Sequence, residues 1–327
     1  MAGRATITQI ARRLGVAPST VSRAFNEPRL LRPETVARVK AVADEMGYVA
    51  NRHARALITG RSGAIGLIVP DITNPFFPLM IRFAQREAEA LDLVVLVVET
   101  DSEPEQERRQ IASLLAQTEG LIIASSRLPA SELRHLAEAS RIVLINNDSK
   151  GLARVLISSR IALREGIRQL AADGVESLCY IGGPRESWSE HERRSTLIKT
   201  AEQLSLATTL LRDQSGTYAE ARRLTDQVIA SGAQAVVAFD DVIAHGVMDG
   251  VDDHGLRVPD DLRVLGCDDA LPIQTRPRLS TIRLQSGAAV QAAIRMLTES
   301  GSTVPEQRLD FPGELQLRET TRRTSDG

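Results

Sequence analysis

At residue 64 the chain changes its hydrophobic rhythm, and that change bounds what it can fold into. Before it, apolar residues recur only at helical spacing. From Ala64 onward, short apolar runs alternate with amphipathic stretches: AIGLIV, LVVLVV, GLIIA and IVLI, then VLIS, SLCYI, AVVAF, RVLG and TIRL. Runs of four to six residues separated by helical segments predict strands buried in parallel sheets, each reached through a crossover helix. They are too many for one sheet of average size, and a polar break at 146–154 divides them. Two similar α/β lobes are therefore expected.

The charge divides at the same place. The formal net charge of -2 over 327 residues hides an uneven split: residues 1–63 hold 11 Lys+Arg against 4 Asp+Glu, leaving 29 basic and 38 acidic residues in the rest. A small module at +7 beside a body at -9 predicts a polyanionic partner for the module. With 43% hydrophobic residues, the chain can bury a sizeable core. Cys179 and Cys267 lie far apart in apolar stretches and read as buried thiols, so neither a disulfide nor a metal site is expected. No uncharged apolar run reaches membrane-spanning length, and the first residues lack a secretory signal, which points to the cytoplasm and to no membrane partner.

The basic module reads as three short helices. Thr6 and Gln9 have capping-box spacing, and Ile7, Ile10, Ala11 and Leu14 form one apolar face stopped by Gly15. Pro18 opens a second helix with Val21, Ala24 and Phe25 inward, and Pro33 opens a third that runs to Gly47 with Val36, Val39, Ala43 and Met46 inward. A helix pair joined by the short turn at 14–16 has the geometry of a helix-turn-helix. Its second helix then exposes Pro18, Ser19, Ser22 and Arg23, small groups beside one guanidinium able to read guanine through two hydrogen bonds. The competing reading is a three-helix bundle with a solvated basic face, which the concentrated charge disfavours.

These residues, ATITQIARRLGVAPSTVSRAFN (5–26) and PETVARVKAVADEMGYVAN (33–51), resemble the DNA-binding headpiece of the LacI/GalR family of repressors. The resemblance implies base reading by Pro18, Ser19 and Arg23, and backbone contacts from Thr6, Thr20, Ser22 and Asn26. It also implies a hinge helix within 49–63, following the headpiece at 1–48. There Arg52 would meet DNA, Ala54 would permit close approach, and Leu57 would wedge into the minor groove. A segment so short is unstable as a helix in water, so it needs a partner helix and a surface. The alternative is a plain linker.

From Ala64 to about Arg323 the chain resembles the family's two-lobed sensor, whose fold is that of type I periplasmic sugar-binding proteins. The anchors are IGLIVPDITNPFF (65–77), Gly182-Gly183-Pro184, VPDDLRVLGCDD (258–269) and Leu279 to Ile282. The expected division of 64–327 puts lobe 1 at about 64–156 and 287–311, and lobe 2 at about 157–284 and 312–323, with the polar tail after Pro312 frayed. A ligand would bind at the strand carboxyl ends, between the lobes. The resemblance assigns Phe76 and Phe77 as a stacking face, with core packing as the rival for Phe76, and Asp268 as an acceptor for hydroxyls. Position after strands or in loops adds Asp101, Arg127, Asn147, Trp188, Arg194 and Asp240. Asp240 could equally cap the following helix, and of Arg193 and Arg194 at most one should face inward.

Three features depart from the family pattern: Ser158-Ser159-Arg160 after the lobe-crossing strand, Arg194 to Ile198 without the usual glycine, and Phe239-Asp240-Asp241. They leave a sugar as the default effector and an anionic one open. The expected function is that of a homodimeric transcriptional repressor on a pseudo-palindromic operator, with a small molecule, sugar-like by default, changing operator affinity. Induction and co-repression both fit. A transporter's solute receptor would need export and no basic headpiece. A doubly wound enzyme using the Gly182-Gly183 turn for a nucleotide would need GxGxxG or a P-loop lysine, and the chain has neither there; no catalytic residues and no cofactor are expected.

Overall fold

The computed structural model describes residues 5–48, 62–212, 216–271 and 275–322, and the chain forms two compact units, 1–63 and 64–327. In the first, α1 (Ile7–Leu14), α2 (Pro18–Asn26) and α3 (Pro33–Glu45) follow the local signals. Thr6 and Gln9 form the complete capping box, and Gly15 closes α1 at φ 70°, a left-handed turn that glycine adopts without strain. Pro18 begins α2, where its missing N–H costs nothing. Ile10, Ala11, Val21, Ala24, Val39 and Ala43 make the buried core, with Val42 rather than Val36 packed at its edge. Phe25 meets Tyr48 with ring centroids 5.4 Å apart. The hinge residues Arg52, Ala54 and Leu57 lie outside the described residues.

The second unit contains two parallel sheets. In the first, β1 (Ala64–Val69), β2 (Val94–Glu99), β3 (Leu121–Ala124), β4 (Ile142–Ile145), β5 (Arg154–Ser158) and β11 (Arg308–Pro312) lie in the order β11-β5-β4-β3-β1-β2. The second has the order β7-β6-β8-β9, from β6 (Ser177–Gly182), β7 (Ala207–Arg212), β8 (Ala235–Ala238) and β9 (Arg263–Leu265). Between and around the strands run α4 (Phe76–Ala90), α5 (Pro104–Leu115), α6 (Ala130–Ala139), α7 (Arg160–Ala172), α8 (Trp188–Gln203), α9 (Tyr218–Ala230), α10 (Asp241–Asp253) and α11 (Ser286–Glu299). The apolar runs read from the sequence are the buried strands: every residue of β1, β3, β4, β5 and β8 is buried. None of the described helices is long and apolar enough to cross a membrane.

The chain passes from the first sheet to the second after β5, returns between β10 (Thr281–Arg283) and α11, and crosses again between β11 and β12 (Glu314–Gln316). At the first crossing the carboxylate of Glu192, on α8, accepts hydrogen bonds from the Ser158 and Ser159 hydroxyls and from the Ser159 N–H. The serines that depart from the family pattern thus tie the crossing to the second lobe.

The expectation of a frayed tail after Pro312 is corrected as far as Arg322; 323–327 lie outside the described residues. β12 pairs antiparallel with β10, and a 3-10 turn at Glu319–Thr321 buries both threonines. Thr320 Oγ1 donates to Val264 O and accepts from Ser280 N, while Arg318 reaches Leu279 O and Asp269. Apart from Leu315, which packs against the main core, hydrogen bonds rather than an apolar face hold this tail, so hydropathy gives little signal for it.

Candidate functional site

The headpiece presents one candidate surface. Because Val21 and Ala24 point into its core, the opposite face of α2 carries Pro18, Ser19 and Arg23, all exposed. Thr20 and Ser22 are half-buried, and Ser22 Oγ accepts from Asn26 Nδ2 at 3.2 Å. Thr6 is exposed but spends its hydroxyl in the cap, accepting from Gln9 N and donating to Gln9 Oε1. Arg12 and Arg13 are also exposed, in the last turn of α1. This surface can approach a groove closely through small side chains and offer a guanidinium fork to a base edge.

The second candidate site lies at the strand carboxyl ends between the two sheets. A chamber of about 110 Å³ has Phe76, Phe77 and Phe239 on its apolar side. Phe76 and Phe77 meet edge to face at 5.2 Å and belong to the main core, as the rival reading of Phe76 expected, while both also line the chamber. On the polar side Asn74, in the loop after β1, links the lobes: its Nδ2 donates to Asp240 Oδ2 at 2.9 Å and its Oδ1 caps Phe76 N. Asp240 also caps α10 through Ile243 N, so the cap and the lining position are one residue.

A buried ion pair forms the chamber's inner wall. Arg193 Nη2 donates to Asp268 Oδ1 at 3.0 Å, its Nη1 donates to Phe239 O, and its guanidinium lies 4.5 Å from the Phe239 ring centre. Burial pushes the Asp268 carboxyl up to about 7, against the pull of Arg193. A carboxyl raised in the folded state adds stability that is full below its unfolded value of about 4 and is lost as pH rises through about 7. Urea unfolding is therefore expected to show the sensor unit losing stability between about pH 4 and 7, with a shallower loss in Asp268→Asn. An equal slope in that variant would remove Asp268 as the source.

Several expected site residues are displaced by one position. Arg194 does not line the chamber, and Arg193 does, because Glu190, Arg193 and Leu197 share the buried face of α8. Asn147 turns away to Ser149 and Ser126, while Asn146, at φ 53°, lines the chamber and takes Ile157 N on its Oδ1. Trp188 is half-buried outside the lining; the small neighbours Ser187 and Ser189 line it instead. Asp101 lies on an outer cleft of about 860 Å³, and Arg127 borders both spaces. Asn74, Arg193 and Phe239 also line the chamber and were not among the expected residues, although each stands within or beside a quoted motif.

The Gly182-Gly183 pair has a packing explanation. A Cβ at Gly182 would meet the Glu190 carboxylate and one at Gly183 the Phe239 ring, and Glu190 Oε2 accepts from Gly183 N and Tyr180 Oη. These glycines let α8 and Phe239 approach the end of β6.

Comparison with known proteins gives a consistent picture. Residues 6–51 match the model of bacterial regulatory proteins, lacI family, and residues 167–321 match a periplasmic binding protein-like domain. The ribose operon repressor of Halalkalibacterium halodurans is 27% identical over 324 residues, covering 97% of each chain. The HTH-type transcriptional regulator DegA of Bacillus subtilis is 28% identical over 335 residues, covering 97% of this chain and 98% of its own. The fold is that of the lac repressor dimer bound to operator and the anti-inducer ONPF, with a TM-score of 0.83 at 24% identity over 98% of this chain and 99% of that one.

Proposed function

We propose that this chain, which belongs to the lacI family of bacterial regulatory proteins, is a sequence-specific transcriptional repressor whose operator affinity is set by a small molecule bound between its sensor lobes. The observation that carries the reading is the exposed edge of α2, where Pro18, Ser19 and Arg23 stand free over a packed helix pair within a module of net charge +7. Two copies would place two such edges on a pseudo-palindromic site, and this partner sets the working place of the protein in the cytoplasm. Thr6, Thr20, Ser22 and Asn26 would fix the module on phosphates.

The sensor acts by population shift. A ligand that prefers one angle between the lobes changes the population of that angle, and operator binding follows through the hinge. The Asn74–Asp240 bond spans the lobes beside the chamber, where a ligand hydroxyl can replace it. A relative named as a ribose operon repressor, and a structure of a lacI-family regulator in complex with lactose, support a sugar or sugar derivative. Phe76 and Phe77 offer apolar ring surface to such a ligand, and Asp240 and Asp268 offer acceptors. Nothing in this scheme requires catalysis.

Selection of bound sites from random DNA tests the reading. A palindromic consensus is expected, and Arg23→Ala should weaken the selected site by about 1–3 kcal/mol while relaxing one base preference in each half-site. Binding without sequence preference would overturn the repressor reading. An unchanged consensus and affinity in Arg23→Ala would remove that residue from base recognition.

A further inference from the structure

The chamber alone is too small for the ligand it is meant to hold. At about 110 Å³ it falls below the roughly 150 Å³ of a cavity that accepts benzene. It shares Asp71, Ser102, Arg127 and Pro184 with the outer cleft of about 860 Å³, so an occupant can extend from one space into the other.

Arg127 stands where the two spaces meet. Its place is fixed from behind: Glu107 Oε2 accepts its backbone N–H at 2.8 Å, and Ser125 O accepts from Nη1 at 3.1 Å. The half-buried guanidinium makes no ion pair among the described residues, whereas the other chamber arginine, Arg193, is committed to Asp268. Burial pulls the Arg127 pKa down, and Glu107 and Glu186 oppose this from beyond ion-pair distance. From the second lobe, Arg185 follows the Gly183-Pro184 turn and Arg212 ends β7; both line the same cleft, and neither makes an ion pair among the described residues. The acidic residues of the cleft, Asp101, Glu103 and Glu186, are exposed, and Asp71 is occupied by Thr73.

We propose that the outer cleft is an anion subsite in which Arg127 of one lobe and Arg185 and Arg212 of the other hold a phosphate or carboxylate substituent of the effector, whose polyhydroxyl body enters the chamber. The inference rests on the regulator reading above and adds the charge class of its ligand. Guanidinium forks suit such oxyanions because two parallel N–H groups meet two oxygens. Cations on both lobes also make the anion a cross-link, so its binding favours the closed arrangement.

Calorimetric titration of the full chain with inorganic phosphate, and separately with acetate, tests this at constant ionic strength. Saturable binding of one or both anions is expected, weakened about tenfold or more in Arg127→Gln. The same weakening is expected in the Arg185→Gln/Arg212→Gln pair, whose residues lie outside the core, and none in Arg160→Gln, an exposed arginine outside the cleft. Binding of phosphate assigns a phosphorylated ligand, and binding of acetate alone a sugar acid. No saturable heat from either anion, or equal heat in the cleft variants, overturns the subsite. Operator binding by the same samples without added anion tests the regulator reading separately.

Discussion

Truncating Arg193 to alanine is expected to lower the stability of the sensor unit by about 3–5 kcal/mol and to abolish the effector response. The physical reason is what remains behind. Arg193 and Asp268 are each less than a tenth exposed, and no other cation makes an ion pair with that carboxylate among the described residues. Alanine would leave an uncompensated buried carboxyl, a vacated space beside Phe239, and an unanswered Phe239 carbonyl. The loss should be smaller at pH 5 than at pH 8, because a protonated Asp268 no longer buries a charge. Urea unfolding followed through Trp188, the chain's one tryptophan, reads the sensor unit directly. Combining Arg193→Met with Asp268→Asn should restore most of the stability but not the response, since both partners are then neutral. A loss below about 1 kcal/mol in Arg193→Ala would mean that the pair does not carry the chamber wall.

Replacing Leu57 by glycine is expected to reduce operator binding to its non-specific level, a loss on the order of 1,000-fold or more. Two effects coincide. In the hinge helix that the resemblance implies, glycine would cost about 1 kcal/mol, and so short a helix is already below the length for independent stability. It would also remove the apolar wedge implied for Leu57, and with it the kink that would bring both headpieces onto their half-sites. Binding that survives should be weak, indifferent to sequence and strongly salt-dependent, because the basic headpiece remains. Leu57→Met keeps an apolar side chain of similar volume and should retain most of the affinity. Full specific affinity in Leu57→Gly would show that the segment is only a linker.

Much of the headpiece is local in origin, and so was legible. Capping at Thr6, the left-handed stop at Gly15 and the start at Pro18 each depend on neighbours within one turn, and together they settle which face of α2 is left outside. The central strands were legible for a similar reason, since burial on both faces leaves only apolar residues. Edge strands β7 and β11 were not: ATTLLR and RLDFP face solvent in part and lack a continuous apolar run. β12 and the turn after it escaped for another reason, being held by hydrogen bonds to β10 and β9 from distant parts of the chain.

By itself, the sequence determined the class of the protein: a basic helix-turn-helix module followed by a two-lobed α/β sensor, with the boundary where rhythm and charge both change. Only the tertiary structure decided which of two neighbours lines the chamber between the lobes, Arg193 instead of Arg194 and Asn146 instead of Asn147. Such a choice turns on a rotation of about 100° along a helix or a single left-handed residue after a strand. Those angles are set by what the element packs against, here the Phe239 carbonyl, Asp268 and the Ile157 N–H, which lie far away in sequence.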